Sequence, residues 1–109
     1  MTISEEEALN LLDGYDACWL AKLNDVYNER NRVIALLTKF YPSYMAIDDT
    51  SEDGFKNIVY IETPQGQLSW HITDEEVSLF KHLKYEENKW DGHTTREKYQ
   101  RIERLINEG

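Results

Sequence analysis

One cysteine, two prolines and no apolar run of membrane-spanning length occur in this chain, and each shortage excludes something. A lone Cys18 rules out an intrachain disulfide, so folding needs no oxidising compartment. It lies between Ala17 and Trp19 on a helical pattern and reads as a buried, inert thiol. A bilayer span needs about 20 consecutive apolar residues, and none is present. The N-terminus also lacks the basic-then-apolar order of a signal peptide, so the expected location is cytoplasmic. Positive charge is scarce as well: 12 Lys and Arg stand against 21 Asp and Glu, a net charge of −9. That balance argues against nonspecific nucleic-acid binding and against anionic membranes. DNA mimicry would use such acidity but calls for long carboxylate ladders, and only residues 4–7 and 47–53 are dense in acid. A Gly-rich phosphate loop, an internal repeat and a low-complexity tract are all absent.

What is there reads as a single domain of 109 residues, with residues 1–14 as an N-terminal helical arm and 15–109 as the core. Hydrophobic residues at 40% are ordinary for a folded domain. Ser4 followed by Glu5, Glu6 and Glu7 predicts an N-cap and a short helix carrying Ala8, Leu11 and Leu12 inward, broken at Asp13-Gly14. Apolar residues at Trp19, Leu23, Val26, Val33, Ile34, Leu37 and Phe40 recur at helical spacing, predicting a main helix over 15–41 that Pro42 ends. Residues 43–57 read as a mobile acidic loop whose carboxylates lack the ligand spacing of a calcium loop.

The clearest β signal follows. Residues 57–62 are β-branched and aromatic, Thr63-Pro64-Gln65-Gly66 is a turn, and 67–72 alternate. The alternation puts Leu68, Trp70 and Ile72 on the core side and Ser69 and His71 on the other. A bulge at Gly66 would pair Tyr60 with Trp70 across the strands. Thr73-x-x-Glu76 forms a capping box for a helix bearing Val77, Leu79, Phe80 and Leu83. A polar connection at 85–89 leads to a final helix over 95–107, with Tyr99, Ile102, Leu105 and Ile106 on one face and Arg96, Lys98, Arg101 and Arg104 making it the most basic part of the chain. The expected fold is therefore α+β: a long helix and two or three shorter ones packed on a two-stranded antiparallel β-hairpin. Two strands alone are marginal in water, so the hairpin must lie on the helices or pair with a second copy in a homodimer.

Three histidines, His71, His82 and His93, are the candidate ligands or bases. With Asp91 they could hold zinc, but no two stand at the spacing of a local ligand pair, so scattered, hydrogen-bonded histidines are the simpler reading and no metal or other cofactor is assigned. Ser69 should share a face with His71, but no strained elbow or third orienting group is visible, and Cys18 has no base. No catalytic residue is assigned.

The most suggestive stretch is Lys89-Trp90-Asp91-Gly92-His93-Thr94-Thr95. A turn at Asp91-Gly92 brings an indole, a carboxylate and an imidazole together just before a helix that Thr94 or Thr95 caps, with Thr94-x-x-Glu97 as the capping box. The helix N-terminus favours an anion. Arg96 and Lys98 add charge, Trp90, Trp70 and Tyr27 add flat surfaces, and Arg30, one turn beyond Tyr27, offers a bidentate phosphate contact. The plainer reading makes Trp90 a core plug, has Asp91 bond its own turn, and has His93 tie the loop to the hairpin.

In order along the chain, Asp25-Val26-Tyr27-x-x-Arg30, Ile61-x-Thr63-Pro64-x-Gly66-Gln67, His71 and Trp90-Asp91-Gly92-His93-Thr94 resemble a family of small bacteriophage proteins named for the Trp-Asp-Gly-His motif. The likeness runs from about Asp25 to Leu105. It departs at residues 43–54, where the family often carries a basic, His-rich segment and this chain is acidic. The resemblance implies a non-enzymatic accessory protein acting in the cytoplasm of the bacterial host, in a setting where nucleotides are manipulated or host defences blunted.

The leading expectation is thus a binder of a small anionic, nucleotide-like ligand, a counter-defence sponge for a cyclic nucleotide-type immune signal. Tyr27 and Trp90 would stack, Arg30, Arg96 and Lys98 would take the phosphate, and His71 and His93 would hydrogen-bond. The alternatives are a metal-dependent phosphohydrolase using His71, Asp91 and His93, and an acidic inhibitor that binds a host protein through residues 47–53.

Overall fold

The computed structural model describes residues 5, 6, 8–10 and 23–108, with side chains of the long helix described from residue 31 onward. The expected Ser4 cap, Leu11, Leu12, Cys18 and Trp19 lie outside the described residues. Residues 8–10 are helical, with Ala8 and Leu9 buried. Helix α1 runs Leu23–Phe40 and is followed by strands β1 (Ser43–Ile47), β2 (Asn57–Thr63) and β3 (Gly66–Ile72), a 3-10 turn at Glu76–Phe80, and helix α2 (Thr95–Glu108). The three strands form one antiparallel sheet in the order β1-β2-β3.

The sheet is where the expectation of a two-stranded hairpin fails. Its third strand comes from residues 43–47, inside the segment read as an acidic loop. The strand is hidden because its three central residues are buried on both faces: Met45 enters the main core, while Tyr44 and Ala46 pack on the opposite side. A strand covered on both sides reads as a short apolar run without alternation, which is a weak signal at this length. With a third strand drawn from the same chain, the hairpin needs no second copy to complete its sheet. The acidic residues that follow form an internally bonded turn. Asp48 N–H donates to Lys56 O (2.7 Å), and the Lys56 ammonium donates to Asp49 O (2.9 Å) and Ser51 O (3.1 Å).

The hairpin register also differs from expectation. Thr63 faces Gly66, so only Pro64 and Gln65 lie in the loop and no residue is left over for a bulge. Thr63 Oγ1 closes the turn on Gly66 O (2.6 Å). Trp70 is therefore opposite Val59, and Tyr60 is opposite Ser69. Because strand side chains alternate, this register sends Tyr60 to the face of Ser69 and keeps Trp70 in the core.

The main core fills one face of the sheet. Met45, Val59, Ile61, Leu68, Trp70 and Ile72 meet Val33, Ile34 and Leu37 of α1, Phe80 of the 3-10 turn, and Ile102 and Leu105 of α2. Phe40, expected on the buried stripe of α1, is 43% exposed, because the helix ends there and the chain leaves through Pro42 toward β1. The Thr73 capping box forms as expected: Glu76 N–H donates to Thr73 Oγ1 (3.2 Å) and Thr73 N–H to Glu76 Oε1 (2.7 Å). It starts a 3-10 turn rather than an α-helix, and Leu79 stays 43% exposed. The continuation is committed elsewhere: Met45 N–H donates to Lys84 O (2.9 Å) and Glu86 N–H to Met45 O (2.8 Å), so the chain pairs along β1 instead of coiling on.

Candidate functional site

Alternation places Tyr44, Ile58, Tyr60, Gln67, Ser69 and His71 on the sheet face away from the main core. Tyr44 and Tyr60 pack together there, with ring centroids 5.2 Å apart. Residues 88–93 cross this face and are pinned to it by side chains of the sheet. Tyr60 Oη donates to Asn88 Oδ1 (2.6 Å), and the same Asn88 oxygen accepts Trp90 N–H (3.1 Å). Gln67 grips the chain on both sides of Trp90: its Nε2 donates to Lys89 O (3.1 Å) and its Oε1 accepts Asp91 N–H (3.1 Å). Trp90 is thereby held with its indole outward, 57% exposed, so it is no core plug.

Beyond Trp90 the chain reverses at Gly92, whose φ of +88° is costly for any residue with a β-carbon. The reversal folds the Asp91 carboxylate back on His93. Asp91 Oδ1 accepts His93 N–H (2.9 Å) and lies 2.6 Å from His93 Nδ1, while Oδ2 accepts from Arg101 Nη1 (3.0 Å). Arg101 Nη1 also donates to Gln67 O (2.7 Å), fastening the turn to β3. On the far side of the imidazole, Nε2 stands 2.8 Å from Ser69 Oγ. Asp91 does bond its own turn and His93 does tie the loop to the hairpin, yet His93 and its partner Ser69 also line an open cleft.

The cleft has a volume of about 560 Å³. Its floor is the sheet face at Ile58, Tyr60, Ser69 and His71. Its walls are the 48–55 turn, with Phe55 at its end, on one side and Trp90, His93, Thr95 and Lys98 on the other. Helix α2 starts at the cleft edge because the expected capping box forms there. Glu97 N–H donates to Thr94 Oγ1 (3.1 Å) and Thr94 N–H to Glu97 Oε1 (3.2 Å). Lys98, one turn in, is nearly buried. Its ammonium donates to Ser69 O (3.2 Å) and lies 4.8 Å from the Trp70 ring centroid, a cation–π distance.

Two carboxylates in or behind the cleft are held in their charged form. Hydrogen bonds from the Thr50 hydroxyl and His71 lower the Asp48 pKa from 3.8 to about 2. The geometry agrees: Asp48 Oδ1 accepts from Thr50 Oγ1 (2.5 Å) and Thr50 N–H (3.0 Å), and Oδ2 lies 3.0 Å from His71 Nε2. At Asp91, burial acts to raise the pKa, but the bonds from the His93 ring and amide and the Arg101 guanidinium together outweigh it and leave the carboxyl below its ordinary range. Burial pushes the Tyr60 hydroxyl up to about 12, with the neighbouring Tyr44 and the Asp48 charge adding to the effect.

Of the residues singled out from sequence, Trp70, His71, Trp90, His93, Thr95 and Lys98 meet at the cleft. Trp70 belongs mainly to the core, and with its ring buried it offers no open stacking face. Asp91 stands behind His93, Thr94 is spent on the helix cap, and Arg96 is exposed away from the cleft lining. The side chains of Tyr27 and Arg30 lie outside the described residues. His82 is separate from the other two histidines, 2.6 Å from Thr38 Oγ1 on α1. Sequence reasoning missed Asp48, Asn88 and Arg101; Ser69 does share a face with His71 as expected, but the imidazole that bonds it is that of His93. For Arg101, the signal was its position three residues beyond Lys98 on the same helix face.

A family model described as WDGH domain matches residues 10–105. No curated protein matches the chain, and no solved structure does.

Proposed function

The chain belongs to the WDGH-domain family, and on that premise we propose that its cleft binds a small anionic ligand carrying a planar, nucleotide-like group. The observation that carries this reading is the placement of Trp90: an indole more than half exposed on the wall of a cleft of about 560 Å³ that also holds the Lys98 ammonium. Small-molecule sites commonly occupy about 300–1,000 Å³ and join apolar surface to a few placed polar groups. A planar base stacked on such an indole ring gains about 1–3 kcal/mol. Phe55 also lines the cleft and supplies a second aromatic side chain, and Thr95 supplies a hydroxyl at the helix start. His71 and His93 add imidazoles, each oriented by its own aspartate.

In a phage-infected bacterium, a stoichiometric binder of this kind would act as a sponge for a cyclic nucleotide-type immune signal. The phosphohydrolase alternative lacks a comparable observation. Among the described residues no group of three or more His, Cys, Asp and Glu is placed to hold one metal ion. The test is ligand recovery. The purified protein is mixed with a panel of nucleotides and cyclic nucleotides, washed and denatured, and the released material is identified by mass spectrometry. An intact nucleotide recovered near stoichiometrically from the wild type, and at least about tenfold less from Trp90→Ala, supports the reading. Equal recovery from both proteins, or none from either, removes it.

A further inference from the structure

We propose that Ser69 is a nucleophile and that the cleft hydrolyses small carboxylic esters through a Ser69–His93–Asp91 relay. Three side chains from two separated parts of the chain stand in series: Ser69 Oγ to His93 Nε2 at 2.8 Å, and His93 Nδ1 to Asp91 Oδ1 at 2.6 Å. This is the connectivity by which a serine hydroxyl is activated, with one imidazole nitrogen at the nucleophile and the other held by a carboxylate. Each link has a cause in the fold. Strand alternation turns Ser69 toward the cleft. The Gly92 reversal brings Asp91 onto Nδ1, and Arg101 anchors the other carboxylate oxygen. An ionised Asp91 accepts only, so it fixes the proton of the neutral ring on Nδ1 and leaves Nε2 to receive the proton of Ser69. A purely structural tether would serve equally well facing away from a cavity. Here Ser69 and His93 both line the cleft.

The substrate class follows from the charges available. Phosphoryl transfer is catalysed almost entirely by positioning and by neutralising charge spread over several oxygens, usually with metal ions. Acyl transfer develops one oxyanion. Among the described residues that line the cleft, Lys98 is the one Lys or Arg, and its ammonium bonds the carbonyl of Ser69, which suits the second demand. In the forward step Ser69 Oγ forms a bond to the ester carbonyl carbon as its proton passes to His93 Nε2. The tetrahedral adduct then breaks its bond to the alkoxide, which takes that proton and leaves as the alcohol. Water next attacks the acyl-serine, giving a proton to His93. The acyl–Oγ bond breaks, Ser69 recovers the proton, and the carboxylic acid departs. One ester and one water are consumed per turnover, with no other reactant.

The test uses a fluorophosphonate probe, which bonds covalently to activated serines, with the modified residue located by peptide mass spectrometry. The expected result is labelling at Ser69 in the folded protein about a hundredfold faster than in the same protein unfolded in guanidinium, together with turnover of p-nitrophenyl acetate that Ser69→Ala abolishes. His93→Ala should lose the labelling and regain part of it in added imidazole. Labelling that is absent from Ser69 of the folded wild type, or no faster there than in the unfolded chain, overturns the proposal, as does a folded His93→Ala that labels at the wild-type rate. The comparison of folded with unfolded wild type decides the question even where a variant fails to fold. No nucleotide enters the assay, so its outcome is independent of ligand recovery.

Discussion

Gly66 and Arg101 meet at the end of the hairpin so closely that a β-carbon on Gly66 would stand 2.8 Å from Arg101 Nε and 3.0 Å from its Cδ and Cζ. Gly66 also has a φ of +123°. The residue therefore meets two demands at once, a backbone conformation that L side chains rarely adopt and room for the guanidinium that bonds both Gln67 O and Asp91. Gly66→Ala should destabilise the protein by about 1–3 kcal/mol and loosen Arg101 from the turn. Gly54 is the control: its φ is +87° but nothing lies within 4 Å of a β-carbon there. Urea unfolding of the two alanine variants should show the larger loss at position 66, and equal losses would mean that the contact with Arg101 is irrelevant.

Asp48 gives the protein a stability component that acid removes. Its folded pKa of about 2 lies below the ordinary 3.8 because the Thr50 hydroxyl and His71 bond the charged carboxylate. A depressed carboxylate pKa stabilises the folded state fully above the unfolded value, and the stabilisation fades as pH falls toward the folded one. Wild type should accordingly be more stable than Asp48→Asn at pH 6, with the difference shrinking between about pH 4 and pH 2. Urea unfolding of both proteins across that range would show it. A difference independent of pH would mean that the lowered pKa contributes nothing.

Phe80 and Leu79 are neighbours with opposite fates. Phe80 is fully enclosed between α1 and the sheet, and Leu79 projects into solvent. Truncating a buried phenylalanine removes its transfer energy and leaves a cavity, so Phe80→Ala should cost about 3–5 kcal/mol. Leu79→Ala should stay within about 0.5 kcal/mol of wild type. Comparable losses in the two variants would show that the turn packs differently from the arrangement described above.

Much of this architecture was legible because it is local. The capping boxes at Thr73 and Thr94 are set by side chains three residues apart, and the inward set Leu68, Trp70 and Ile72 follows from alternation alone. The Asp91-Gly92 reversal is likewise written in adjacent residues. What the sequence concealed was long-range. Strand β1 carries no period because both of its faces are covered. The connection at 85–89 shows nothing of its pairing with Met45 or of the grip of Gln67 on either side of Trp90. Ser69 was visibly on the face of His71, but the histidine that reaches it comes from 24 residues further along, carried there by a crossing that no local pattern encodes. The register error at Tyr60 had a smaller cause: one residue assigned to a bulge moves every cross-strand partner.

The hydrogen bonds of Lys98 to Ser69 O and Arg101 to Gln67 O, seen so far as supports of the cleft, also decide how the protein behaves in a crowded solution. In the hairpin register, the carbonyls of Gln67 and Ser69 point away from β2, along the outer margin of β3, where a foreign strand would otherwise dock. Exposed strand margins template aggregation, and natural proteins protect them with cations and cover. Here two cationic side chains from α2 occupy that margin, while on the opposite one the backbone of Lys84 and Glu86 takes both hydrogen-bonding groups of Met45. Both margins of the three-stranded sheet are thus partly covered within the chain. The residues that shape the cleft are the same ones that shield carbonyls of an edge strand, the kind of cover that disfavours strand pairing between copies.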